Sequence, residues 1–96
     1  MSVIQLNLHR SHTAKADLDR RNALIEILQE PPFSMWGNST LKKLNSEVYS
    51  VPGIRPRAAI RTDKSVTSSA ILNLWDRDSV VCLVKTSQGK CVFASI

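Results

Sequence analysis

The apolar run Leu24-Ile25-Glu26-Ile27-Leu28 closes on Gln29-Glu30-Pro31, and the run at the other end of the first thirty residues, Ile4-Gln5-Leu6-Asn7-Leu8-His9, carries Asn7. Apolar stretches that each end in a hard-oxygen side chain can deliver Asn7 and Glu30 to one rim of a folded domain. A carboxylate and an amide oxygen on a shared rim suit Mg²⁺, which prefers oxygen ligands and usually keeps several of its waters. Metal-assisted phosphodiester chemistry is the natural use of such a site. Each residue also has a plainer reading: Glu30 as a solvated carboxylate ahead of a proline, Asn7 as an amide satisfying a local turn.

The elements that must position these residues follow from hydrophobic period and punctuation. Ile4, Leu6 and Leu8 alternate with polar neighbours, which predicts a strand over Val3–His9 with those three residues buried. Ser11 can cap a helix lying within Ser11–Ala23. The next segment reads two ways. Leu18, Leu24, Ile25 and Leu28 fit one amphipathic helix stopped by Pro31-Pro32, whereas a helix ending near Asn22 leaves Leu24–Gln29 as a short buried strand. Only the strand keeps Glu30 on a strand rim.

Further along, Pro31–Thr40 reads as a surface loop that carries Phe33, Met35 and Trp36, unusually apolar for such a segment. Trp36 fits stacking on a base or, more commonly, anchoring the loop. Glu47–Val51, Ala58–Thr62, Ala70–Leu74 and Val80–Thr86 are strand candidates. Asp63–Ser69 is polar and turn-like, and Cys91–Ile96 completes a hairpin with Val80–Thr86 through Gly89. One helix followed by many short strands predicts a single α/β layered domain dominated by antiparallel pairs.

These motifs, in order, resemble the start of a known family. Asn7 in "IQLNLHRS", Glu30 in "EILQEPPF", "RPRAAI" at Arg55–Ile60 and "DSVVCLV" at Asp78–Val84 look like the endonuclease domain of non-LTR retrotransposons, in the endonuclease/exonuclease/phosphatase superfamily. The resemblance runs over nearly all of residues 1–96 but covers only about the first half of that domain. It implies a partial four-layer-type α/β sandwich, mostly antiparallel, with one N-terminal helix, and it favours the strand reading of Leu24–Gln29. The link from helix to strand is several residues shorter than the family usually has, and Phe33 departs from the aromatic that relatives often carry directly after "QEP".

The resemblance further implies that Glu30 binds the divalent metal (Mg²⁺ or Mn²⁺) and that Asn7 helps orient metal or phosphate. Both then count as catalytic positions. Arg55 and Arg57 are candidate contacts to the DNA backbone, which position a protein without reading sequence; as ordinary residues they are solvated neighbours of a strand. The family also uses a tyrosine beyond the strand equivalent to Val92–Ile96, an Asp-x-Asn pair, a later aspartate and a terminal Ser-Asp-His. Neither Asp-x-Asn nor Ser-Asp-His occurs here, and the one tyrosine, Tyr49, sits elsewhere. His9 and His12 have no carboxylate near them in sequence to form an acid–base pair, and Asp76 and Asp78 precede a strand as scaffold.

Composition bounds these readings. With 43% apolar and 22% charged residues the chain is ordinary for a globular domain. It has no apolar run of about 18 residues and no secretory signal, so no membrane association and an intracellular setting are expected, nuclear for the parent element. The net charge of +5 favours a polyanionic partner, DNA in the parent. If Ser87–Lys90 turns the hairpin, Cys82 and Cys91 lie about 13 Å apart on one face, too far for a disulfide, and both are expected reduced and buried. The apolar Val92–Ile96 reads as a core strand cut short, an exposed edge open to self-association. Two readings therefore stand: the N-terminal part of a Mg²⁺-dependent endonuclease that nicks DNA for target-primed reverse transcription and is inactive as this fragment, or a non-catalytic remnant that binds nucleic acid or a protein partner. A reading frame continuing into Tyr and Asp-x-Asn motifs would separate them.

Overall fold

The computed structural model describes residues 2–21, 23–32, 41–51 and 56–96. Arg55, Phe33, Met35 and Trp36 lie outside them. Two sheets stack face to face, with a helix on the far side of the first. The first sheet has the order β1-β2-β4-β3, built from β1 (Val3–Asn7), β2 (Ile25–Gln29), β3 (Ser46–Tyr49) and β4 (Ala58–Asp63). The second is β5-β6-β7, from β5 (Thr67–Ala70), β6 (Val80–Thr86) and β7 (Gly89–Ser95). Among the described strands only β1 and β2 pair in parallel. A parallel pair needs a crossover, and α1 (His12–Asp19) supplies it.

The segment that reads two ways is a strand. Ser11 caps α1, its hydroxyl accepting from the Ala14 amide at 3.1 Å, and the helix stops at Asp19. β2 is then buried on both faces. Ile25 and Ile27 join Ala58, Ile60, Val80, Cys82 and Val84 between the sheets, while Leu28 joins Leu8, Leu18, Leu41 and Ala59 under the helix. Continuous burial explains why this run lacks the alternation of a one-faced strand.

β1 departs from expectation. Leu8 is fully buried and Ile4 half-buried, but Leu6 remains 39% exposed. As an edge strand β1 has a neighbour on one side only, and less of the helix layer covers it. Pro31 and Pro32, expected on a surface loop, are buried. Ala70–Leu74 is no strand either; the chain makes a 3₁₀ turn at Leu72–Leu74 with both leucines exposed. The polar stretch before it is a turn only over residues 64–66, after which Thr67–Ala70 forms the β5 edge. Its hydroxyls are used inward: Ser68 Oγ lies 2.8 Å from Tyr49 Oη and 3.1 Å from Thr62 Oγ1. Tyr49 also meets Trp75 edge to face, so this tyrosine ties the two sheets together.

The β6–β7 hairpin is tighter than a four-residue loop. Thr86 pairs with Gly89 around Ser87-Gln88, and Gly89 takes a φ of 136° that few other residues adopt. The register moves by two residues: Cys82 faces Phe93 and Cys91 faces Val84. Both thiols are free, Cys82 buried as expected but Cys91 exposed. Burial pushes the Cys82 thiol up to about 11. A thiol-exchange reagent at pH 8 should therefore titrate Cys91 alone in the native protein, with Cys82 reacting only after denaturation. Rapid reaction of two thiols in the folded chain would contradict this placement.

A charged cluster sits where the sequence shows only an apolar run and a scattered base. Arg61 is 1% exposed and directly opposite Glu26, and it donates to both carboxylate oxygens at 2.7 and 3.0 Å. Its Nη1 reaches the Leu41 carbonyl at 2.9 Å and Asp19 Oδ1 at 2.8 Å. The Asp19 contact is held by charge rather than by a well-angled hydrogen bond, and Lys15 Nζ lies 2.7 Å from the other oxygen. Burial opposes ionisation of Asp19, but bonds and charges from Lys15 and Arg61 outweigh it and hold the carboxyl below its ordinary value. One guanidinium thus binds the helix end to two strands.

Candidate functional site

Because β1 and β2 run parallel, their carboxyl ends emerge together, with Asn7 opposite Gln29. Ligands in α/β sheets characteristically sit outside such ends. There a cleft of about 270 Å³ is lined by Asn7, Gln29, Glu30, Arg57, Asp78 and Ile96. Asn7 and Glu30 thus share a rim, and Arg57 joins them.

The rim is held by backbone bonds that demand unusual dihedrals. The Leu8 amide donates to the Gln29 carbonyl, the Arg10 amide to the Glu30 carbonyl and the Glu30 amide to the Arg57 carbonyl, at 2.7–2.8 Å. To make these bonds His9, Arg10 and Glu30 adopt φ of 51°, 57° and 49°. Left-handed conformations of this kind cost non-glycine residues about 1–3 kcal/mol each and concentrate at functional sites. Arg10 contributes a second clamp, its Nη1 donating to the Pro31 carbonyl at 3.0 Å and the Pro56 carbonyl at 2.8 Å. The segment after β2 is thereby tied to the segment that runs through Arg57 into β4.

The side chains are only partly committed. Asn7 Oδ1 accepts from the His9 amide at 2.8 Å, the local turn of the plainer reading. An amide oxygen has two lone pairs and its NH₂ two protons, so Asn7 keeps capacity for a ligand. The Glu30 carboxylate is 46% exposed, and His9 Nδ1 lies 3.9 Å from it. Arg57 Nε lies 3.7 Å from Asp78 Oδ1, both side chains being exposed. Asp78 is aimed by its turn: its amide donates to Asp76 Oδ1 at 2.8 Å, a bond that holds the Asp76 carboxyl below its ordinary value.

Three of these participants were hidden in the sequence. His9 meets Glu30 only because the chain reverses after β1. Asp78 is more than scaffold, since it lines the cleft beside Arg57. Ser95 is fully buried, its hydroxyl donating to the Leu28 carbonyl at 2.6 Å and lying 3.3 Å from Gln29 Nε2, which ties β7 to the rim. The Asp-Ser-Val start of "DSVVCLV" carried the only signal for Asp78.

The electron-pair donors lining the cleft are oxygens, from the amides of Asn7 and Gln29 and the carboxylates of Glu30 and Asp78, the ligand type that hard cations such as Mg²⁺ prefer. Among the described residues no three His, Cys, Asp or Glu side chains gather as a metal cage.

The same fold occurs in the endonuclease domain of TRAS1, a telomere-specific non-LTR retrotransposon. The match has a TM-score of 0.71 and 23% identity, and covers 97% of this chain and 42% of that one. The chain thus spans less than half the length of the solved domain it resembles. No family model and no curated protein matches the chain.

Proposed function

We propose that the chain forms the metal- and phosphate-facing part of a Mg²⁺-dependent DNA endonuclease of the retrotransposon type. The observation that carries this reading is the convergence of Asn7, Glu30 and Arg57 on one rim, in a fold shared with an endonuclease domain. In this reading Glu30 supplies the charged oxygen for the cation, and Asn7 orients a phosphate or metal-bound water through its free amide capacity. Arg57, released from its long contact with Asp78, pairs with the DNA backbone. A divalent cation held there would screen the phosphate and stabilise charge developing on the leaving oxygen. The other reading, a binding module without catalysis, draws on the lack of a positioned general base at the rim among the described residues: His9 Nδ1 lies 3.9 Å from the carboxylate that would bind the metal.

Mn²⁺ as a paramagnetic probe tests the site without needing turnover. Substoichiometric Mn²⁺ should broaden the backbone resonances of Asn7, Glu30 and Asp78 first, and excess Mg²⁺ should restore them. Glu30→Gln, which keeps shape and removes charge, should weaken the effect at least tenfold. Broadening centred elsewhere, or unchanged in Glu30→Gln, would remove the metal reading.

A further inference from the structure

The rim leaves a second set of cations unexplained. β6 leaves the rim at Val80, which pairs with Ser95, and ends at Thr86 in the hairpin turn. Seven strand residues span roughly 20 Å, so that turn lies at the opposite pole of the sandwich. There Lys85 and Lys90 stand directly opposite each other, both exposed. Neither forms an ion pair with any described residue. At the rim, by contrast, Arg57 has Asp78 and His9 has Glu30.

Like charges directly across a ladder destabilise a hairpin. Here Lys85 lines a cleft of about 450 Å³ with Ser65, Thr67, Thr86 and Ser87, over an apolar floor of Leu24 and Val66, while Lys90 lines a neighbouring cleft on the turn that shares Thr86 and Ser87 with it. The nearby acid, Asp63, is turned into its own loop: its Oδ1 accepts from the Ser65 amide at 2.9 Å. Further from the cleft, Glu47 lies between Lys42 and Lys64, 4.0 Å from each. The cleft therefore offers the Lys85 ammonium and the hydroxyls of Ser65, Thr67 and Ser87, with no carboxylate lining it among the described residues; the Thr86 hydroxyl already donates to the Gly89 carbonyl. Paired ammonium charges and hydroxyl donors are what phosphate oxygens recognise.

We propose that this hairpin pole binds the phosphodiester backbone of a nucleic-acid strand, as a contact separate from the Asn7–Glu30 rim. Lys85 and Lys90 each neutralise a phosphate, and the hydroxyls of Thr67 and Ser87 bond its free oxygens. The strand relieves the repulsion that the free protein carries.

Fluorescence anisotropy with a labelled oligonucleotide, single-stranded in one arm and duplex in the other, tests this over a range of salt. Lys85→Gln/Lys90→Gln should weaken binding about tenfold at low salt. It should also flatten the dependence of log K on log salt by about 1.4 for a single strand, or about 1.8 for duplex, the release expected from two phosphate contacts. The arm showing the larger loss identifies the strand form bound. A control, Arg20→Gln/Lys42→Gln, removes the same net charge elsewhere and should leave most of the slope intact. Because the lysines repel each other, the hairpin variant should melt no lower than the parent, so lost binding will not reflect unfolding. Equal losses in the two double variants, or no binding by the parent, would overturn the proposal. Mn²⁺ broadening at Glu30 should persist in Lys85→Gln/Lys90→Gln, so this contact and the metal site can fail independently.

Discussion

Arg61→Ala is expected to cost about 3–5 kcal/mol, because it leaves Glu26 as a buried charge without its partner. Whole domains have only about 5–15 kcal/mol to lose, so the variant should be largely unfolded at modest denaturant or fail to fold. Glu26 is 2% exposed and receives two hydrogen bonds from this one guanidinium, while the Leu41 carbonyl loses the Arg61 bond as well. Urea unfolding followed by circular dichroism measures the loss. The companion Arg61→Met/Glu26→Leu removes both charges and should recover most of the stability, since buried ion pairs contribute little over well-packed apolar groups. A loss near 1 kcal/mol in Arg61→Ala would mean that water reaches Glu26 and the cluster is not sealed.

The second large effect concerns catalysis. Residues 1–96 alone should show no plasmid nicking with Mg²⁺ or Mn²⁺ above a protein-free control. In the proposed reading Asn7, Glu30 and Arg57 hold a cation and a phosphate, but no described side chain at the rim is set to take a proton from the attacking water. A positioned general base contributes about 10²–10⁴-fold, and a missing donor to the developing charge costs about 10²–10³-fold more. Together these put the rate below detection. Nicking that Glu30→Ala abolishes would show that the rim already contains its base, with His9 the first residue to examine.

What the sequence revealed follows from which forces act locally. The strand–helix–strand start was legible because Ser11 and the alternation around Leu6 are local signals, and the rim followed once Leu24–Gln29 was taken as a strand. The exposure of Leu6 was not legible, because it depends on how far the short helix α1 extends over the β1 edge. The Arg61–Glu26–Asp19 cluster was invisible for a similar reason. Its charges lie up to 42 positions apart in sequence (Asp19 to Arg61) and meet only through the β2–β4 register. In β5, Ser68 looked like turn chemistry because its partners, Tyr49 and Thr62, arrive from the other sheet. The hairpin register shifted because a two-residue turn with glycine at its exit is tighter than the loop the polar residues outlined.

The bond from Ser95 to the Leu28 carbonyl closes a loop of 67 residues and seals the rim side of β2. Until Ser95 has emerged from the ribosome, β2 is an apolar strand with one of its two faces uncovered. Non-local closures of this kind slow folding, because chain entropy is lost before the contact repays it. The nascent chain therefore passes through a window in which a strand buried on both faces in the finished fold is available to other chains or to chaperones. The rim is assembled from distant parts of the chain: the strands that carry Asn7 and Glu30 are made first, yet the cleft between them and Ile96 exists only once β7 has docked.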